Sequence, residues 1–381
     1  MSSIKYFDHA ATTGVKDEVL KAMIPYFSIE YGNPSSIYGI GRRNKRAIEE
    51  AREKVARAIN AKPREIYFTG CGSESDNLAI KGIAHSLKTR GNHIITSKIE
   101  HHAVLNTCKT LEKEGFSVTY LKVDEDGLIN LEELINAIND KTILISIMTA
   151  NNEIGTIEPI KEIGQIAKEK NIYFHTDSVQ AIGNMRIDVQ SMNIDSLSMS
   201  AHKFYGPKGI GALYVREGVP FSKIQDGGHQ EKDKRAGTEN VAGIVGLGKA
   251  IELAYENLDE YNEKLTKLRD YYISQVENRI PDIKLNGHRT KRLPGNSNIS
   301  FKNVDGGELL LKLDEKGICT STGSACNSGS SEPSHVLTAI GLRPEYLEGS
   351  LRTTFGEENT KEDVDFLIDN VEKIVKDCRK I

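Results

Sequence analysis

The stretch Ser198-Met-Ser-Ala-His-Lys203-Phe-Tyr-Gly-Pro-Lys-Gly-Ile-Gly211 sets one lysine between a short apolar run and a glycine-rich turn. A lysine so placed can stay a surface charge, bind a phosphate, or form a Schiff base with a carbonyl cofactor. The last needs an amine that sheds its proton more easily than a free lysine, through desolvation or neighbouring cations. His202 beside it and Ser200 before it suit a phosphate. The P-loop does not apply, because in that motif the lysine follows the glycines and here it precedes them.

Other polar clusters have comparable potential. In Thr69-Gly-Cys-Gly-Ser-Glu74, small residues let backbone N–H groups approach an anion where a helix opens, with Ser73 as the expected cap; an ordinary tight turn is the alternative. Asp177, expected just past a strand, can hold a protonated ring nitrogen or a metal, or simply cap the next helix, with Gln180 three residues on. His101 and His102 are adjacent, which suits one metal ion poorly, and no zinc-type spacing accompanies them. Stacking or proton transfer is the better functional reading, and a surface loop the structural one. Cys326 sits in Ser321-Thr-Gly-Ser-Ala-Cys326-Asn-Ser-Gly, the centre of a stretch (320–334) in which ten of fifteen residues are Ser, Thr or Gly. A cysteine on such a polar, mobile loop is either a nucleophile or an incidental exposed thiol.

The elements that must position these residues read as an α/β fold. From about 42 to 215, strand patterns (66–69, 93–96, 118–121, 143–147, 172–175, 196–199) alternate with helical ones, which predicts a mostly parallel sheet covered on both faces. Residues 226–240 read as a charged loop. Helical patterns over 241–257 and 258–279 follow, then short strands near 283–285 and 298–301 and a helix opened by Thr360, so a smaller α+β unit is expected to begin near residue 259. The expected division is a large domain over 15–258 and a small one over 259–381 joined by 1–14, the latter carrying the cysteine loop 320–334.

Length and composition agree. A chain of 381 residues exceeds one ordinary core. A net charge of -4 gives no argument for nucleic acid or an anionic membrane. No apolar run spans a bilayer, no secretory leader is evident, and five scattered cysteines make no disulfide framework. A reducing cytoplasm is expected.

Taken together and in order, these motifs closely resemble the cysteine desulfurases of the NifS/IscS type, class-V aminotransferases of the fold-type I pyridoxal-phosphate group. The resemblance is carried by Tyr6-Phe-Asp-His-Ala-Ala-Thr-Thr13, Gly32-Asn-Pro-Ser-Ser36, Glu74-Ser-Asp-Asn-Leu-Ala-Ile80, Glu100-His-His-Ala-Val-Leu105 and Ala150-Asn-Asn-Glu-Ile-Gly155. It continues in His175-Thr-Asp-Ser-Val-Gln180, Ser200-Ala-His-Lys203, Arg235-Ala-Gly-Thr238, Gly323-Ser-Ala-Cys326 and Ser350-Leu-Arg352. It implies that Lys203 holds pyridoxal phosphate covalently, His101 stacks on its ring and moves protons, and Asp177 binds the ring nitrogen. Gln180 and Asn152 would meet the ring's phenolic-oxygen side. Gly72, Ser73, Ser200 and His202 would bind the phosphate, with Thr238 reaching it from the partner of a homodimer. Asn33 and Arg352 would hold the substrate carboxylate.

The implied reaction turns L-cysteine into L-alanine, with Cys326 taking the sulfur as a persulfide for an acceptor protein, an iron–sulfur scaffold or a tRNA thiolase. No resident metal is implied, only a passing contact of Cys326 with an iron–sulfur cluster. The loop around Cys326 resembles the branch with a long mobile loop. The chain ends at Cys378-Arg-Lys-Ile381, so the docking tail of IscS-like members is expected to be absent, which leaves the acceptor open. Cys319 is expected to be a packed strand residue. The rivals are a selenocysteine lyase or related aminotransferase, and, in another class, an inactive sulfur-transfer scaffold.

Overall fold

In a computed structural model of the chain, which describes residues 4–322 and 333–379, the apolar runs assemble into one large sheet. A short β1 (Lys5–Tyr6) precedes β2 (Ile66–Thr69), β3 (His93–Ser97), β4 (Ser117–Leu121), β5 (Thr142–Ser146), β6 (Tyr173–Asp177), β7 (Ser196–Ser200) and β8 (Gly211–Val215). Strands β2 to β8 lie in the order β2-β8-β7-β6-β5-β3-β4. The pairs from β4 through β3, β5 and β6 to β7 are parallel. Only β8 is antiparallel to its neighbours, so the mostly parallel sheet contains one reversed strand.

Successive residues of these strands serve opposite faces. Ile95, Ile145 and Phe174 join one core with Ile48 and Val55 of helix 39–58, Ile163 of helix 160–169, and Leu247 and Ile251 of helix 241–256. Ile94 and Leu144 join the other with Leu78 and Ile83 of helix 72–86 and Val104 and Leu111 of helix 102–113. Burial on both faces requires the few polar residues inside to satisfy one another. His175 does so with Ser146 Oγ at Nδ1 (2.9 Å) and Ser198 Oγ at Nε2 (3.1 Å).

A third core gathers Phe7, Leu265, Tyr272, Ile299, Leu309, Leu351 and Leu367. It lies between helices and an antiparallel sheet β12-β10-β9, formed by β9 (Ile283–Leu285), β10 (Asn296–Phe301) and, beyond β11 (Ile318–Cys319), β12 (Ser350–Thr354). Cys319, half-buried, lies in β11, which pairs in parallel with β1. Helix 361–378 opens with the reciprocal Thr360–Asp363 capping box and buries Val364, Leu367, Ile368, Val371, Ile374 and Val375 along one stripe.

Three local expectations are corrected. Ser73 is not the cap of helix 72–86: the helix begins at Gly72, and Cys71 at the cap position makes no side-chain bond. Asp177 is the last residue of β6, not beyond it. Segment 226–240 is not loop throughout, for Gln230–Asp233 forms a short helical turn in which Glu231 and Lys232 have φ of 45° and 57°. Buried Arg52 grips the Glu231 carboxylate with two hydrogen bonds (2.7 and 2.8 Å), and Phe68 N–H donates a third (2.9 Å), which holds this uncommon backbone.

Candidate active site

Five segments following the carboxyl ends of β2, β3, β5, β6 and β7 converge on one cavity of about 340 Å³, a volume suited to a small cofactor. Its lining includes Gly72 and Ser73 after β2, His101 after β3, Asn152 after β5, Asp177 and Gln180 of and after β6, and Ser200, His202 and Lys203 at the end of β7. Arg352 of β12 closes it from the other side, together with Ala10 and Ala11. A second cavity of about 330 Å³ also touches Lys203, beside Tyr205 and Tyr261. It has neither the helix opening at Gly72 nor Asp177 in its wall, so the first is the candidate site.

The Lys203 ammonium donates to the backbone carbonyls of Ala10 (2.5 Å) and Ala11 (2.8 Å). Gln180 Nε2 donates to the same Ala10 carbonyl at 2.9 Å. Asp177 is buried; Oδ1 accepts from Val179 N–H at 2.9 Å. Burial raises its pKa, opposed by His101, that N–H and Lys203. His101 Nδ1 accepts from Ala103 N–H at 3.1 Å and so caps helix 102–113. That bond assigns the proton of the neutral ring to Nε2, and burial keeps the ring neutral by lowering its pKa against the pull of Asp177. His202 is pushed down to about 4, first by burial and then by Lys203 and Lys208.

Two of the expected residues lie outside this lining. Asn33 is exposed and its Oδ1 accepts from Ser35 N–H. Thr238 is exposed, in a segment tied to the turn after β2 by Arg235 Nε donating to Glu74 Oε1 at 2.7 Å. Cys326 and most of the stretch 320–334 lie outside the described residues.

The residues present fit pyridoxal phosphate on physical grounds. A Cβ at Gly72 would sit 2.6 Å from Val179 Cγ2, so only glycine lets the opening turn of helix 72–86 come this close to Val179 and Ser200. The free N–H groups and dipole of that turn then face the cavity where a phosphate is wanted. Arg352 Nε is buried and has no hydrogen-bond partner among the described residues, while Nη2 meets Asp8 Oδ1 at 2.8 Å and Nη1 donates to Asn152 O at 3.1 Å.

Some participants were missed from the sequence. The carbonyls of Ala10 and Ala11 carry no side-chain signal. Asp8 and Asp76 were quoted within motifs but given no role. Asp76 had a signal: with Ala79, Ile80 and Ile83 it falls at i, i+3, i+4 and i+7 on the buried stripe of its helix, where an unpaired acid is out of place.

Comparison with known proteins agrees with this geometry. The family model for class-V aminotransferases matches residues 5–367. A relative from Clostridium botulinum (strain Hall), named cysteine desulfurase IscS, is 59% identical over 100% of this chain and 96% of its own. Another of that name, from Methanosarcina thermophila, is 58% identical over 99% of this chain and 93% of its own. A solved NifS-like protein superposes with a TM-score of 0.93 at 40% identity, covering 98% of this chain and 99% of that one. SspA, solved in complex with cysteine, superposes with a TM-score of 0.83 at 41% identity, covering 93% and 100%. Fold, cavity and relatives lead to one assignment: the chain belongs to the class-V aminotransferase family, in its pyridoxal-phosphate-dependent branch of NifS- and IscS-type cysteine desulfurases.

Proposed function

We propose that the protein converts L-cysteine to L-alanine and retains the sulfur as a persulfide on Cys326. The observation that carries this reading is the convergence of Lys203, Asp177, His101 and the helix opening at Gly72 on one cavity, with Arg352 opposite. In the reaction the substrate's C–S bond breaks, its carbon gains a proton, and the sulfur forms an S–S bond to Cys326. Cysteine plus enzyme thiol thus becomes alanine plus enzyme persulfide, with no other oxidant.

Pyridoxal phosphate, when bound, supplies the electron sink that weakens bonds around the substrate's α-carbon. Lys203 tethers it, and the turn at Gly72 and Ser73, with Ser200 and His202, holds its phosphate. Asp177 would hold the ring nitrogen, and Gln180 and Asn152 would meet the side of the phenolic oxygen. His101, with its proton on Nε2, stacks and moves protons. The planar edge of Arg352 receives the substrate carboxylate, with Asn33 as its expected helper. The exposed place of Thr238 suits a homodimer in which it reaches the phosphate of the second subunit.

The sulfur acceptor is an iron–sulfur scaffold or a tRNA thiolase in the cytoplasm. Among the described residues no helix is long and apolar enough to cross a membrane. The names of the relatives favour neither a selenocysteine lyase, an aminotransferase nor an inactive scaffold.

Purified protein is expected to absorb visible light, and Lys203→Ala to lose that band. Cys326→Ala is expected to lose sulfide release from cysteine in the presence of a thiol acceptor. Colour that persists without Lys203 would undo the tether, and full sulfide output without Cys326 would undo the persulfide.

A further inference from the structure

Beside Asp177, in the wall of the same cavity, lies a second carboxyl group that the reaction as described does not use. Asp76, in the second turn of helix 72–86, is 1% exposed. One oxygen of each of Asp76 and Asp177 and a ring nitrogen of His101 lie within 4.8 Å of one another. Among the described residues Asp76 Oδ1 has no hydrogen-bond partner, and it stands 3.7 Å from His175 Nε2. Its hydrogen bond comes from the Ser198 hydroxyl, which also meets His175 Nε2, while Ser146 holds Nδ1. The polar chain Ser146–His175–Ser198–Asp76 therefore runs under the sheet's carboxyl end and stops against Asp177.

Two acids this close and this buried cannot both carry charge cheaply. Their surroundings decide which one does. Asp177 has Lys203, His101 and the Val179 N–H on its side. Burial raises the pKa of Asp76, and the acids Asp177, Glu100 and Cys71 raise it further, against the hydrogen bond from Ser198 that lowers it; His101, held neutral by its own burial, adds no cation. His175 offers no cation, since burial drives its pKa down to about 3.

We propose that Asp76 is a positioning residue for the cofactor ring: a neutral carboxylic acid, fixed by Ser198, that leaves the pair's single negative charge on Asp177. The inference rests on the reading that Asp177 meets the ring nitrogen. A carboxylate at Asp76 would instead split the charge between two sites and weaken the hold of Asp177 on a protonated ring. An apolar residue there would leave the Ser198 hydroxyl without its acceptor and Asp177 without its lateral support.

The test compares wild-type protein with Asp76→Asn, which keeps the shape of a neutral acid, by difference infrared spectroscopy at neutral pH. The expected difference is a carboxylic-acid C=O band present in the wild type and missing in the variant. Loss of a carboxylate band instead, or an Asp76→Asn chain that does not fold, overturns the proposal.

Stripped and reconstituted protein supplies the second readout, the dissociation constant for pyridoxal phosphate. Asp76→Asn should bind within about threefold of wild type, and Asp76→Leu about tenfold more weakly, as buried polar groups left unpaired dictate. Wild-type affinity in a folded Asp76→Leu protein overturns the positioning role. Asp177→Asn separates the two claims. If it binds with wild-type affinity and an unchanged visible spectrum, the ring-nitrogen reading of Asp177 fails while the infrared result on Asp76 still stands.

Discussion

At the scale of single residues, the site works by leaving selected groups unsatisfied or held neutral. Arg352 shows the first device. Its guanidinium is buried and spends one nitrogen on Asp8 and another on the Asn152 carbonyl, yet Nε has no hydrogen-bond partner among the described residues. An orphan N–H in a buried site costs stability unless a ligand pairs with it, so the geometry is set up for a planar acceptor. Lysine has the charge but not the fork, and cannot serve Asp8, Asn152 and a carboxylate at once. Arg352→Lys is therefore expected to raise KM for L-cysteine about tenfold to a hundredfold, the range for a lost charge-assisted hydrogen bond. The visible band of the bound cofactor should be unchanged. Steady-state kinetics beside an absorbance spectrum decide it: an unaltered KM removes Arg352 from substrate binding, and a lost band shows that it acts on the cofactor instead. His202 shows the second device. Burial and two lysines push it down to about 4, so at neutral pH it offers the proposed phosphate site a hydrogen-bonding ring rather than a cation.

At the scale of elements, the opening of helix 72–86 is the part of the cavity wall best built for an anion. Its first residue has no room for a side chain, since a Cβ would stand 2.6 Å from Val179 Cγ2. Gly72→Ala must push the turn away from Val179, and overpacking of this kind costs about 1–3 kcal/mol. If the helix opening moves with it, affinity for pyridoxal phosphate falls about tenfold to a hundredfold. Titration of stripped protein with the cofactor measures this, and equal affinity would show that the turn does not hold the phosphate. This turn also shows what the sequence could and could not reveal. Small residues between a strand and a helix marked Gly72 and Ser73 as anion contacts, and the apolar stripe of the helix was plain from Leu78 and Ile83. The same pattern misplaced Ser73 as a cap, because capping depends on where the backbone turns, and that is set by packing against Val179. The reversal of β8 was invisible for a related reason: all five of its residues are buried, and a continuous buried run reads the same in either chain direction. Asp76 carries no turn signal: it lies on the buried stripe of a helix, where only its departure from the apolar period marks it. Asn33 and Thr238 could be assigned only by resemblance, as nothing in their own spacing distinguishes them from surface residues.

At the scale of the whole molecule, the N-terminal segment stitches the two sheets together at the site. Ala10 N–H donates to Thr354 Oγ1 (2.9 Å) at the end of β12, and Thr13 N–H to the His202 carbonyl (2.9 Å) beside Lys203. Stability of an assembly so rich in buried acids must depend on pH, and the sign can be worked out for one that stands outside the cavity lining. Glu158 is buried, accepts from Ile129 N–H at 3.2 Å, and burial raises its pKa from 4.5 to about 8. Between those values the folded chain keeps a proton that the unfolded chain has released. Its contribution is therefore fully present below pH 4.5 and is lost as pH rises toward 8, by about 1.4 kcal/mol per pH unit. Surface acids such as Glu217, held low by Arg64 and Lys62, act with the opposite sign in the acid range, but they are common to any pair of variants and cancel in a comparison. Glu158→Gln keeps an oxygen for Ile129 N–H and has no proton to lose. Urea unfolding midpoints of wild type and Glu158→Gln, measured at pH 5 and pH 8, should therefore diverge, with the variant gaining on the wild type as pH rises. Parallel behaviour at the two pH values would mean that Glu158 is already ionised in the folded protein.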